Sequence, residues 1–99
     1  MELSLDSQVV AAQDQIFCNL SGEIVILSVQ SGLYFGLDLV GARVWELLQQ
    51  PRAVRDIVEQ LLDEYDVDAE RCRHDVLVLL REMRRRELID VPGEPVSQP

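Results

Sequence analysis

The stretch SGLYFGLDLVGARVWELL, residues 31–48, marks the change from strand to helix in this 99-residue chain. Ser31 and Gly32 are turn formers, and the five residues LYFGL after them are uncharged and include two adjacent aromatic side chains. Asp38 is a residue type that caps helix N-termini, and it predicts a helix through LVGARVWELLQQ that ends at Pro51. We therefore expect a sheet before residue 38 and helices after it.

Two segments upstream, rich in β-branched and aromatic residues, predict two further strands. They are QIFCNL at 15–20 and GEIVILSV at 22–29, separated by a Ser-Gly turn, and a Gln-Ser-Gly turn then leads into LYFGL at 33–37. Three strands joined by short turns predict an antiparallel meander. Residues 1–14 are mixed in character, and we expect a flexible segment or an extra strand there.

Two more helices are predicted downstream. Apolar side chains recur every three or four positions over residues 53–65, which is typical of an amphipathic helix. Asp68 caps a third helix that ends in the arginine run 84–86, whose positive charges suit a helix C-terminus. A short extended segment at 88–91 and a disordered tail at 92–99 complete the chain.

These elements predict one α+β domain of order βββααα, a three-stranded antiparallel sheet followed by three helices, similar to a winged helix. We place this domain at residues 15–91. The third helix is more apolar than one buried face requires, because Leu77 and Val78 lie outside its predicted core face. That core face holds Cys72, Val76, Leu79, Leu80 and Met83.

Charge and composition restrict the classes of function. The formal net charge is −9, and all nine basic residues are arginine. A chain this acidic repels polyphosphates over long range, which disfavours general DNA or RNA binding. The N-terminus has no basic region followed by a long apolar one, and no apolar run predicts a membrane-spanning helix. We expect a cytoplasmic protein that binds neither nucleic acid nor membrane.

Residues that usually carry catalysis or bind metals are sparse. His74 is the one histidine, and no nucleophile, metalloprotease or phosphate-binding motif occurs in the chain. Cys18 and Cys72 lie far apart and outside any CxxC pattern, so we expect reduced thiols and no zinc site. The acidic run at 59–70 lacks the spacing of a calcium loop. We therefore expect a protein that is not an enzyme, with no catalytic residues, no metal and no cofactor.

A winged-helix DNA-binding regulator is the alternative from another functional class. Six of the nine arginines fall between residues 71 and 86, as they would on a recognition helix. Against this alternative, the arginines are spread over several faces of the helix and share it with Asp75 and Glu82.

The strand LYFGL is the best candidate for a binding surface. It closes the meander and leads into a helix, a position typical of a sheet edge, and no Lys, Pro or charge protects it. Alternation directs Leu33, Phe35 and Leu37 toward the helices, and Tyr34 and Gly36 away from them. Together with the third helix, this edge predicts a groove for an added peptide strand. The alternative is an edge covered by the N-terminal segment or by a second copy.

The same residues resemble a known family. SGLYFGLDLVGARVWELL and the segment VRDIVEQLLDEYDVDAERCRHDVLVLLREMRRRELI at 54–89 resemble the PqqD-like family, the leader-recognition domains of ribosomally made, modified peptides. The similarity is closest to stand-alone proteins of lasso-peptide pathways, which tend to read G-x-Y-F-x-L-[ND]-x-x-G-x-x-[IV]-W. It covers roughly residues 16–91.

The resemblance implies a function and a site. Such domains bind the leader of a precursor peptide as an added strand, in the cleft between their third strand and third helix. Further partners implied in a lasso-peptide pathway are a cysteine-protease-like leader peptidase and an asparagine-synthetase-like cyclase. The alternative within the family is a PqqD-type peptide chaperone for a radical-SAM enzyme. Carried over by position, the peptide-binding residues are Leu33, Tyr34, Phe35, Gly36, Leu37, Cys72, Asp75, Val76, Leu79 and Met83.

Two positions depart from the family pattern. Ala53 stands where relatives often have a Ser or Thr cap for the second helix, and Glu87 stands where they often have Gly after the third. We expect both substitutions to weaken helix ends, by about 1 kcal/mol for a lost N-cap.

Overall fold

The computed structural model describes residues 3–13, 15–21, 23–29 and 31–92. Those residues form a mixed α+β fold of three helices and two small antiparallel sheets, which confirms the predicted class. The strands are β1 (Gln8–Ala11), β2 (Gln15–Leu20), β3 (Glu23–Ser28), β4 (Tyr34–Leu37), β5 (Arg52–Ala53) and β6 (Ile89–Asp90). The helices are α1 (Leu39–Leu47), α2 (Val54–Glu64) and α3 (Ala69–Arg85).

The larger sheet is an antiparallel meander in the order β2-β3-β4. Ile26 in the central strand lies opposite Phe17 of β2 and Phe35 of β4. Ser21, between β2 and β3, has a φ of 56°, the left-handed conformation that tight hairpin turns require. β4 is an edge strand, since none of the described residues pairs with its outer side.

The smaller sheet, ordered β5-β1-β6, adds three strands to the predicted order βββααα. Of these, β1 lies in the segment 1–14, where an extra strand was one expectation, and β6 lies in the extended segment expected at 88–91. Gln8 lies opposite Ala53, and Val10 lies opposite Asp90, so β1 joins the start of α2 to the segment after α3. β5 and β6 have two residues each, too few to show a strand period in the sequence. Of the predicted tail 92–99, only Pro92 is among the described residues.

One hydrophobic core lies between the meander and the three helices. Trp45 of α1 is buried there, and its ring system and the Phe17 ring form a T-shaped contact with 5.7 Å between centroids. α3 buries four of the five residues predicted for its core face, namely Cys72, Val76, Leu80 and Met83. None of the helices in the described part of the chain has the length and apolar character needed to cross a membrane.

The N-terminal ends of the helices show how the sequence sets their starts. The Asp38 carboxylate accepts from the Gly41 N–H at 2.8 Å, and that of Asp68 accepts from the Arg71 N–H at 2.9 Å, as the sequence predicts. Ala53 offers no side-chain cap to α2. The first two N–H groups of α2 instead donate to the carbonyls of residues 7 and 5, each at 2.9 Å. The N-terminal segment thus replaces the missing cap.

The C-terminal end of α3 holds a non-glycine residue where glycine is usual. The Leu88 N–H donates to the Met83 carbonyl and the Glu87 N–H to that of Arg84, at 2.9 and 3.0 Å, the pattern of a Schellman motif. Glu87 occupies its left-handed position with a φ of 59°. A side chain in this conformation costs about 1 to 2 kcal/mol.

We therefore expect Glu87→Gly to raise the free energy of unfolding by about 1 kcal/mol, because glycine adopts this φ without the steric cost. Urea unfolding at pH 7 would measure the change. Glu87→Ala is the matched control, since it removes the same charge and keeps the Cβ atom. Equal stability of the two variants would contradict the prediction.

Candidate peptide-binding groove

A groove of about 490 Å³ lies between the open edge of β4 and α3. Its size is in the range of ligand pockets, and its lining is mostly apolar. β4 and its end contribute Phe35, Gly36, Leu37 and Asp38, and α3 contributes Arg71, Cys72, Asp75, Val76 and Leu79. A far wall comes from α1, α2 and the loop after α2, through Val40, Gly41, Val44, Leu61, Tyr65 and Val67.

The structure brings seven of the ten predicted site residues into this groove, three from β4 and four from α3. Leu33 and Tyr34 instead line a smaller adjoining cavity of about 250 Å³. Met83 is completely buried in the core and lines neither cavity. Leu33 precedes β4 and is 59% exposed, so it does not pack toward the helices as the alternation predicted.

The far wall is the part of the groove that sequence reasoning missed. Tyr65 and Val67 carry a signal that would have indicated it, because they are apolar residues within an otherwise acidic stretch. Gly41 lies where α1 approaches β4, and a Cβ atom at this position would meet the Leu37 side chain at 3.2 Å. This close approach favours a small residue and keeps α1 against the strand.

The register of the meander determines which backbone groups of β4 face the groove. The Ser28 N–H donates to the Leu33 carbonyl at 2.9 Å, at the start of the ladder between β3 and β4. Antiparallel ladders alternate, so Phe35, two residues further along, also bonds toward β3. Tyr34 and Gly36 therefore direct their N–H and C=O groups to the open edge. These four groups can accept an added strand.

The side chains of the meander divide between its two faces. Leu37 is buried and Phe35 half-buried on the side of the helices, whereas Tyr34 is 71% exposed on the other side. Ile16 and Leu20 of β2 are also exposed, and the pairing of β2 with β3 places them on the same outer side as Tyr34. The meander therefore has an apolar outer face as well as an open edge.

Charged groups are few inside the groove. Burial raises the pKa of the Cys72 thiol, and the Asp75 carboxylate raises it further. A protonated thiol is a poor nucleophile, so Cys72 lines the groove as an apolar group. Arg71 and Asp75 face each other at 3.7 Å at the α3 wall. Among the described residues, no cluster of His, Cys, Asp and Glu is arranged to hold a metal ion.

An ion pair between α1 and α2 supports the far wall. The Arg43 Nε lies 2.9 Å from Glu64 Oε1 and its Nη2 lies 2.7 Å from Oε2, a bidentate arrangement. The hydrogen bonds from Arg43, together with one from Gln60, lower the pKa of the Glu64 carboxyl from 4.5 to about 2. The pair joins the helices that carry Val44 and Leu61.

Comparison with known proteins identifies the family of the chain. Residues 23–89 match the family described as coenzyme PQQ synthesis protein D (PqqD). The match extends over about two thirds of the sequence, and the chain belongs to this family, as the resemblance predicted. A comparison with curated proteins gave no match.

Two solved structures are similar to the chain. One is TbiB1 in complex with the TbiA(β) leader peptide, which is 32% identical, with a TM-score of 0.76 over 88% of this chain and 99% of that one. The other is lasso peptide synthetase B1 complexed with the leader peptide, 18% identical, with a TM-score of 0.73 over 83% of this chain and 96% of that one. At this lower identity, the second likeness concerns the fold alone.

The Arg43–Glu64 pair makes stability dependent on pH. We expect Glu64→Gln to melt below wild type at pH 7, with a difference that shrinks as the pH falls from about 4.5 to about 2. The folded-state pKa is depressed, so the stabilisation is present above the unfolded-state value and is lost as the pH falls toward the folded-state value. Thermal melts across this range would measure it, with the exposed Glu59→Gln as control. A difference that does not change with pH would contradict the assignment.

Proposed function

We propose that this chain binds the leader segment of a ribosomally synthesised precursor peptide as a β-strand added to β4. The observation that carries the proposal is the open edge at Tyr34 and Gly36 beside a mostly apolar groove. The similar structure of TbiB1, which is 32% identical and holds a leader peptide, supports it. The fold contains a second small sheet besides the meander, so the predicted similarity to a winged helix stays a prediction.

Backbone bonds and side-chain burial have different roles in such a complex. Each edge hydrogen bond contributes about 0.5 to 1.5 kcal/mol net, and fixing each residue of an extended peptide costs about 1 to 2 kcal/mol. The edge hydrogen bonds therefore at most offset the entropic cost of ordering the peptide. They form with the backbone, so they do not distinguish one peptide sequence from another. Burial of apolar leader side chains against Phe35, Leu79 and the far wall decides affinity and selectivity.

We further propose that the chain acts without catalysis, as a cytoplasmic adaptor that delivers the leader to maturation enzymes of a lasso-peptide pathway. Those partners are a cysteine-protease-like leader peptidase and an asparagine-synthetase-like cyclase. Burial raises the pKa of the Cys72 thiol, which disfavours the nucleophilic thiolate and agrees with a binding role for the groove. The alternative within the family, a peptide chaperone for a radical-SAM enzyme, would use the same groove, and the genes beside this one distinguish the two.

The DNA-binding alternative has less support from the side chains of α3. Arg71 pairs with Asp75 on the same helix, and both Arg85 and Arg86 pair with Glu82. These carboxylates reduce the positive charge that α3 would present to phosphates. A regulator of this kind would bind a DNA duplex at low salt and lose affinity steeply as salt rises.

The direct test is a titration with the leader of a precursor peptide encoded beside this gene. We expect the labelled leader to bind the purified protein, with an increase in fluorescence anisotropy, because its backbone and side chains occupy the β4 edge and the groove. A scrambled peptide of the same composition is the control. Absence of binding at tens of micromolar protein would contradict the proposed function.

A second test addresses the mode of binding. Gly36→Pro removes an N–H that points to the open edge and leaves the bonds between β3 and β4 in place. We expect it to weaken leader binding about threefold to tenfold, the worth of one hydrogen bond. Gly36→Ala is the matched control, since a Cβ there meets no atom within 4 Å and the N–H is kept.

Circular dichroism would verify that both Gly36 variants keep their fold. Equal leader affinity of the folded proline and alanine variants would mean that the peptide does not pair with β4.

A further inference from the structure

The groove continues past the start of β4 into a smaller, differently charged cavity. This cavity of about 250 Å³ shares Phe35 with the groove. On the strand side it is lined by Leu33 and Tyr34, and on the helix side by Arg85, Arg86 and the one acidic residue of the cavity, Glu87. A peptide extended along β4 would therefore leave the apolar groove and pass two guanidinium groups.

Both arginines contact neighbouring side chains in the protein. The Arg86 guanidinium carbon lies 5.2 Å from the centre of the Phe35 ring, and its Nε donates to Glu82 Oε1 at 3.0 Å. Arg85 Nη1 donates to the other oxygen of Glu82 at 3.1 Å. A single carboxylate thus serves two guanidinium groups, and the Nη groups of Arg86 have no hydrogen-bond partner in the part of the chain that the structure describes.

The arginines beside the smaller cavity contrast with the charge of the rest of the chain. The whole chain has a net charge of −9, whereas the run at residues 84–86 is entirely arginine. In the larger groove, Asp75 is paired with Arg71, and Asp38 lies at the end of β4 that is farther from the arginine run. An acidic side chain of an extended peptide would therefore be favoured beside Arg85 and Arg86 over the end of β4 that carries Asp38.

We propose that Arg85 and Arg86 form a subsite for a side-chain carboxylate of the leader peptide, at the part of the leader that passes Leu33 and Tyr34. The proposal rests on the proposed function, because it specifies the chemistry of the same peptide. Arg86 is the better-ordered donor, since Phe35 and Glu82 fix its guanidinium before the peptide arrives. The carboxylate fixes which stretch of the leader lies on β4, while the apolar groove provides most of the affinity.

The expected effect is moderate because both arginines are partly in water. The side chain of Arg85 is 79% exposed and that of Arg86 46% exposed. Exposed ion pairs change affinity by a few-fold, so the combined loss on removing both charges is about threefold to tenfold. The same loss is expected on neutralising the leader carboxylate that they bind.

A double-mutant cycle tests the subsite with a synthetic leader encoded beside this gene. Each Asp or Glu of the peptide is replaced in turn by Asn or Gln, and affinities are measured for the wild-type protein and for Arg85→Gln/Arg86→Gln. We expect one replacement to weaken binding to wild type about threefold to tenfold. The same replacement should leave binding to the double variant unchanged. Arg81→Gln, an exposed arginine that lines neither cavity, is the control for charge alone.

The outcomes separate this subsite from the proposed function. If the leader binds wild type and the double variant equally, or if it binds without any carboxylate, the subsite is wrong and leader binding stands. If Arg81→Gln weakens leader binding as much per charge removed as the double variant does, the loss is a long-range charge effect and the subsite is wrong. If the leader fails to bind wild type, the proposed function is wrong and the subsite with it. Circular dichroism of the double variant shows whether a loss reflects unfolding.

Discussion

The backbone ladder between β3 and β4 is the constraint on which the candidate site depends. It satisfies the polar groups of Phe35 on the inner side of β4 and leaves those of Tyr34 and Gly36 directed outward. α1 begins directly after the strand, with Asp38 capping it through the Gly41 N–H. The chain therefore turns away from its own open edge, and the space that a further strand would fill becomes a groove against α3.

The N-terminal segment holds together the elements that form this groove. The Ala11 and Ala12 N–H groups donate to the carbonyls of Leu48 and Leu88, at 2.7 and 2.8 Å. Carbonyls of the same segment accept the first N–H groups of α2, where Ala53 supplies no cap. One short stretch is thus bonded close to the ends of all three helices. The N-terminal segment, which lies outside the meander and the helices, therefore helps to fix the helices that form the walls of the groove.

Much of the fold follows from local patterns in the sequence, because turn residues, helix caps and apolar periods mark the meander and the three helices. β5 has no such mark, and the sequence indicates only an extended segment where β6 lies, since both strands are defined by their pairing with β1. The site was predicted on its β4 and α3 sides, whereas Tyr65 and Val67 reach it through the packing of α2 and its loop. Met83 was carried over to the site from the family resemblance, yet it is completely buried in the core, whereas Leu79 is half-buried.

The apolar outer face of the meander has a consequence for the protein in solution. The open edge of β4 and the exposed apolar side chains of the outer face, among them Ile16 and Leu20 of β2 and Tyr34 of β4, favour association between like molecules. The net charge of −9 opposes that association through mutual repulsion. This protection vanishes near the isoelectric point of about 4.4. The excess of acidic residues thus acts as a colloidal stabiliser for a protein with an open edge strand.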